Sequence, residues 1–363
     1  MDERVRRHAE IIVDHCTDVR AEDHVLVVAP AAASDLVVAL YERLGERGAR
    51  PSLGWSNARA HRAYVRAMAV GDFRTNDAEL AAMRETDVII FVSGPTNVAE
   101  TSDVDPATTA AASRAAQPIL EERLEKRWVI TAHPTPGAAQ KAGLSTAAWE
   151  DFVYGAVDRD WAAQAAFQAQ LVDVLDAGAK VHLVSGDTTD LRLDIDGMRT
   201  VNDDGRLNLP GGEVYTSPNP DSAEGVVTFD QPLVHSGREL RDVRLTFEGG
   251  EVVDYAASQH EDLLASILET DEGARRLGEL GIGMNRAIDR FSYNMLFDEK
   301  MGDTIHLALG NAIAECVPDD RTFNASAQHV DMLVDMSRDS RIEVDGEVVQ
   351  RDGTFAFEDG FEG

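Results

Sequence analysis

HVLVVAP, residues 24–30, is a short β-branched run that stops at a proline. A helix-patterned stretch, SDLVVALYERLGERGAR (34–50), follows it. The same theme returns in DVIIFVSGP (87–95) and RWVITAHP (127–134). Each run is almost continuously apolar, as a strand buried on both faces is. Strands that alternate with helices predict a parallel, doubly wound sheet. SGPTN (93–97) and AHPTPG (132–137) then fall at strand C-termini, where such sheets bind ligands.

From residue 170 onward short strands and turns take over. VRLTFEGGEVVDY (243–255) alternates Val243, Leu245 and Phe247, then turns at Gly249-Gly250. RIEVDGEVVQ (341–350) carries Asp345-Gly346 at its tip. Both are hairpin signals. Between them, HEDLLASILETDEGARRLGEL (260–280) reads as helical. The expected fold class is therefore α/β. A doubly wound α/β domain is expected over 1–170 and an α+β domain over 171–363.

A chain of 363 residues with 44% hydrophobic content is long enough for two domains and a sizeable core. No apolar run approaches the roughly 20 residues that span a bilayer. The N-terminus, MDERVRRHAEIIVDHC, is patterned like an amphipathic helix and lacks the apolar segment of a signal peptide. The expectation is a cytoplasmic protein with no membrane partner. The two cysteines, Cys16 and Cys316, form no CxxC pair, so any metal must be held by carboxylates and imidazoles. The net charge of −31, from 65 acids and 34 bases, repels phosphate backbones and argues against a nucleic-acid partner. Only four of the bases are lysine: Lys126, Lys141, Lys180 and Lys300. High acidity with few lysines fits a protein that works in concentrated salt, where the Debye length shrinks to about 3 Å at 1 M.

No P-loop and no GxSxG elbow is present. GIGMNR (281–286) lacks the last glycine of a dinucleotide fingerprint, and HEDLL (260–264) has Leu264 where a zinc-helix motif needs histidine. His329 and Asp331, in QHVDMLV, differ from the other candidates. On a strand, positions i and i+2 face one way, and Val330, Met332 and Val334 take the alternate positions. Side by side, the two suit either a divalent metal or a structural hydrogen bond. His306, in DTIHLALG, lies on the small, polar face of an expected strand, as a satisfied core histidine or as a ligand. Glu213 follows the Gly211-Gly212 turn in LPGGEVYTSPNPDSAEGVV (209–227), either solvated or aimed inward at a cation. Glu279 is expected at a helix C-terminus, where the macrodipole disfavours a carboxylate. A metal, Arg275 or Arg276 would compensate it. Glu299, in FDEKMGD, sits among charges and is expected to be solvated. Three carboxylates and two imidazoles match a site for two hard-to-borderline ions, which hydrolyses without a protein nucleophile.

At LPGGEVYTSP, DSAEGVV, ETDEGARRLGELGIG, HLALG and HVDM the sequence resembles the metal-dependent aminopeptidases that include aminopeptidases T and S, the thermophilic metalloproteases. RWVITAHPTPGAAQKAGLS and the segment leading into DHVLVVAP add weaker support. The resemblance implies that Glu213, Glu279, His306, His329 and Asp331 bind two divalent ions (Co, Zn, Mn or Mg) in the C-terminal domain, which would make 171–363 the metal-binding catalytic domain. It also implies a homodimer that acts on peptide substrates. The family has a tyrosine three residues beyond the glycine of HxALG, where this chain has Ile313. A rival reading comes from dihydroxypyridine ring-cleaving dioxygenases of similar fold. There His306, His329 and Asp331 would hold one Fe(II) as a facial triad, with Glu213 and Glu279 outside it.

Overall fold

The computed structural model describes residues 1–235 and 237–362. The chain forms two compact units: Met1–Arg159 with Gly205–Gly211, and Asp160–Asp204 with Gly212–Gly363.

In the first unit the apolar runs become the parallel strands β1 (His24–Pro30), β2 (Arg50–Ser56), β3 (Val88–Ser93) and β4 (Arg127–Ala132). The order is β2-β1-β3-β4, and the two residues Asn208–Leu209 add a fifth parallel strand beside β4. The chain therefore winds to one side of β1 and then crosses to the other. β3 is buried along most of its length, β1 alternates buried with half-buried positions, and the edge strand β2 is largely open. The N-terminal helix forms at Glu3–Glu10, capped by the Asp2 side chain on the Arg4 amide, and buries Val5, His8 and Ala9.

Among the described residues the second unit holds two large antiparallel sheets and a two-stranded ribbon, Leu233–His235 with Arg238–Leu240. The larger has eight strands and contains both expected hairpins, at 243–248/251–256 and 340–344/347–351. The smaller contains β5 (Thr200–Asp203), β6 (Glu213–Thr216), β7 (Leu277–Gly283), β8 (Thr304–Gly310) and β9 (His329–Asp335), in the order β9-β8-β7-β6-β5. Alternation sorts this sheet by chemistry. One face presents Val214, Leu280, Ile282, Ile305, Leu307, Leu309, Val330, Met332 and Val334. These residues join Leu183, Leu191, Val227, Leu245, Phe247 and Ile342 of the larger sheet in one apolar core. Each fully buried aliphatic side chain contributes roughly 1.5–3 kcal/mol, which fixes which face of β5–β9 is left for polar residues.

The expected helix over 260–280 is only partly formed. Helix covers Glu261–Leu268, a 3-10 turn covers Gly273–Arg275, and Leu277–Gly283 is the central strand β7. Past the helix end, Asp271 accepts the amides of Ala274 and Ala327 and so fixes the turn. A Cβ on Gly278 would collide with the carbonyl oxygens of Gly310 and Asn311, so the glycines that weaken a helix here allow close strand contact. Glu279 is therefore a strand residue, and no helix terminus opposes its charge. Among the described residues no helix is long and apolar enough to cross a membrane.

Candidate metal centre

The polar face of β5–β9 brings the five candidate residues together. Along β9, His329 and Asp331 face the same side, and Asp331 stands opposite Ala308, which stands opposite Glu279. His306 lies opposite Gly281, and Gly281 lies opposite Tyr215. Glu213 begins β6 between Gly283 and Asp203. The small residues Ala308, Gly281 and Gly283 leave room above the sheet for the longer side chains.

The Gly-Gly turn directs Glu213 inward. Gly212 has φ +112°, and a Cβ there would collide with Asn285. Its amide donates to the Asp203 carbonyl at 2.8 Å, and its carbonyl accepts from the Met284 amide at 2.7 Å. Gln168 donates to the Glu213 carbonyl at 2.9 Å. The carboxylate that follows is 4% exposed, so it is not a solvated turn acid.

His306 Nε2 lies 3.5 Å from Oε2 of Glu213 and 3.4 Å from Oε1 of Glu279. His329 Nε2 lies 3.2 Å from the other oxygen of Glu279, Oε2, and 3.4 Å from Oδ1 of Asp331. Each oxygen of Glu279 thus faces a different imidazole. His329 Nδ1 is held by the Asn311 carbonyl at 2.9 Å, which leaves Nε2 turned to the acids. One donor atom from each of Glu279, His306 and Asp331 falls within 4.8 Å of the others.

Lys300 completes the cluster. Its side chain is fully buried, with Nζ 2.9 Å from Oε1 of Glu213, 3.7 Å from Oδ2 of Asp203, and in contact with Glu299. Glu299 is therefore a partly buried partner of Lys300 and not the solvated acid its charged neighbourhood predicts.

The charges are out of balance without a cation. Burial pushes Glu213 up to about 8 against the pull of Lys300. Burial also acts to raise Glu279, but hydrogen bonds from His306 and His329 outweigh it and bring this acid down to about 2. The imidazoles move the other way. Burial alone would lower them, yet Glu279 with Glu213 carries His306 up to about 10, and Asp331 with Glu279 carries His329 up to about 11. Three buried atoms, Glu213 Oε2, Asp331 Oδ1 and His306 Nδ1, make no hydrogen bond among the described residues. Buried polar atoms normally have partners, and carboxylate oxygens with imidazole nitrogens are donors that suit divalent cations. For metal–ligand bonds of about 2.1 Å, neighbouring donors in one coordination shell lie about 3.0–3.4 Å apart. The observed 3.2–3.5 Å separations match that spacing. The residues fit a metal.

All five sequence-derived candidates meet on one face. Lys300, Asp203 and Tyr215 escape the sequence reading. Lys300 had a signal, as one of four lysines in an arginine-rich chain, two residues past Asp298 and six before His306. Tyr215 had one too, because i and i+2 on a strand share a face and it follows Glu213 at that spacing. Asp203 had none. Ile313 lies beyond the end of β8, where its amide donates to Ser217.

The family model described as thermophilic metalloprotease (M29) matches residues 1–360. Aminopeptidase T of Thermus aquaticus is 34% identical over 288 residues, 67% of this chain and 67% of that protein. Other curated aminopeptidases match over shorter segments, and the chain spans only 44% and 40% of the length of two of them. The structure of wild-type AmpT from Thermus thermophilus aligns with a TM-score of 0.86 at 25% identity, covering 97% of this chain and 99% of that one. The structure of 2,5-dihydroxypyridine dioxygenase from Pseudomonas putida KT2440 aligns with a TM-score of 0.64 at 14% identity, covering 98% and 97%, a likeness of fold alone. The chain belongs to the thermophilic metalloprotease (M29) family.

Proposed function

We propose that the chain is a metal-dependent aminopeptidase that removes N-terminal residues from peptides. Two divalent cations (Co, Zn, Mn or Mg) would be held by Glu213, Glu279, His306, His329 and Asp331, in a catalytic domain covering residues 171–363. The observation that carries this reading is the division of Glu279. Its Oε1 joins Glu213 and His306 in one triad of donors, and its Oε2 joins His329 and Asp331 in a second. Charge supports the same count. Asp203, Glu213 and Glu299 gather on one lysine and Glu279 and Asp331 on the imidazoles, so five acids and one lysine leave four negative charges once the imidazoles are neutral. Two divalent ions carry that charge.

When bound, such ions polarise a carbonyl and make water a nucleophile near neutral pH. The protein's own residues do the rest. Glu279 ties the two triads together, the Asn311 carbonyl aims the His329 ring, and the apolar core behind the sheet holds the strands in register. The single-iron alternative requires Glu279 to stand aside, although it is the acid that both imidazoles share. That disfavours a triad of His306, His329 and Asp331.

A peptide is the proposed partner, with a homodimer as the assembly and the cytoplasm as the location. The acidic, lysine-poor composition supports work in concentrated salt, and stability is expected to rise from low to molar KCl. The test of function is the metal content of the purified chain together with release of amino acids from short peptides. Two divalent ions per chain and N-terminal cleavage are expected. E213A should lose one ion and the activity while its far-UV circular dichroism stays unchanged. One iron per chain with O2 uptake on a dihydroxypyridine would overturn the proposal.

A further inference from the structure

Lys300 does more than neutralise buried charge. Its Nζ meets acids from three directions: Glu213, Glu299 and Asp203. An ammonium has three N–H donors on a compact head, whereas a guanidinium is a planar fork. The chain uses arginine for most of its 34 basic residues yet keeps lysine here. The backbone of Lys300 is also anchored: its carbonyl accepts from the Asn285 amide at 3.0 Å, and its amide donates to the Phe297 carbonyl at 3.0 Å. Glu213 reaches an imidazole, and it does so through Oε2, an oxygen that makes no hydrogen bond among the described residues, while Lys300 meets Oε1.

We propose that Lys300 is a positioning residue. Its ammonium, braced by Glu299 and Asp203, pins Oε1 of Glu213 so that Oε2 alone is left to meet a cation beside His306. The inference rests on the functional reading above, because it needs a cation at that triad. It makes Glu213 a single-oxygen ligand, whereas both oxygens of Glu279 face imidazoles. Partners that hydrogen-bond a metal's ligands typically contribute 10–100-fold to its affinity.

The test is calorimetric titration of the chelator-stripped full-length chain with Co2+, for wild type, K300M, E213Q and the double variant E213Q/K300M. Wild type is expected to take two equivalents. K300M should weaken one of them by 10–100-fold and leave the other, at His329 and Asp331, unchanged. The double variant should bind as E213Q does, since Lys300 acts through Glu213. If K300M alone fails to fold, the comparison of E213Q with E213Q/K300M still decides, because that pair removes both charges together. Unchanged K300M affinities, or a further loss in the double variant, would overturn the inference and leave the functional reading standing. A wild-type chain that takes up no Co2+ would overturn both.

Discussion

Gly281 and His306 stand opposite each other on neighbouring strands, and the imidazole lies directly over the glycine. A Cβ at position 281 would collide with Cε1 and Nε2 of that ring. The central strand therefore carries glycine where the centre needs its deepest histidine. G281A should push His306 out of line with Glu213 and Glu279. The expected result is loss of one bound cation and a destabilisation of about 1–3 kcal/mol from overpacking. Metal analysis and thermal unfolding together check it. Full metal content in G281A would mean that the ring has room to move.

Glu279 and Asp331 should differ in what their loss removes. E279Q withdraws one charged oxygen from each triad, so both cations should weaken. D331N removes the charge nearest His329, although Asp331 also groups with Glu279 and His306. The expected stoichiometries after dialysis are near zero for E279Q and near one for D331N. Equal losses would show that the two triads do not fill independently.

Acid should weaken cation binding steeply. With His306 raised to about 10 and His329 to about 11, both rings are protonated in the cation-free protein at neutral pH. A cation needs neutral imidazole, so its binding must expel those protons. Affinity should rise with pH from 6 to 9, by about tenfold per unit for each proton released. Calorimetry in buffers of different ionisation enthalpy counts the protons, and at least two per chain are expected. A pH-independent affinity would mean that these imidazoles are already neutral.

Much of this was legible in the sequence, for specific reasons. Alternation placed His306, His329 and Asp331 on strand faces because a half-polar strand has period two. It failed for Glu279, where three glycines interrupt the alternation in LGELGIG and answer to neighbouring strands. Nothing local distinguishes such a segment from the end of a helix. Glu213 was found through its turn, since Gly212 at positive φ is a local requirement. Lys300 and Asp203 depend on contacts across 87 and 97 residues of sequence, respectively the separation of Lys300 from Glu213 and from Asp203. No local pattern encodes those.

His8 gives the first unit its own acid sensitivity. Thr131 Oγ1 donates to the Leu209 carbonyl at 2.8 Å, so its contact with His8 Nε2, also 2.8 Å, must be one in which Nε2–H donates. That leaves Nδ1 unprotonated, buried and without a hydrogen bond among the described residues. Burial, aided by the nearby His133, holds the ring down to about 3, from an ordinary 6.5. The unfolded chain therefore binds the proton more readily than the folded one. Stability is intact above pH 6.5 and falls on acidification until pH approaches 3, by about 1.4 kcal/mol per unit within that window. Carboxylates titrate over part of the same range, so the measurement is the difference between wild type and H8Q in urea unfolding at several pH values. Glutamine keeps an N–H for Thr131 but cannot take a proton. H8Q should be less stable at pH 7, with the gap closing and then reversing as pH falls toward 4. A constant gap across that range would show that His8 does not titrate on unfolding.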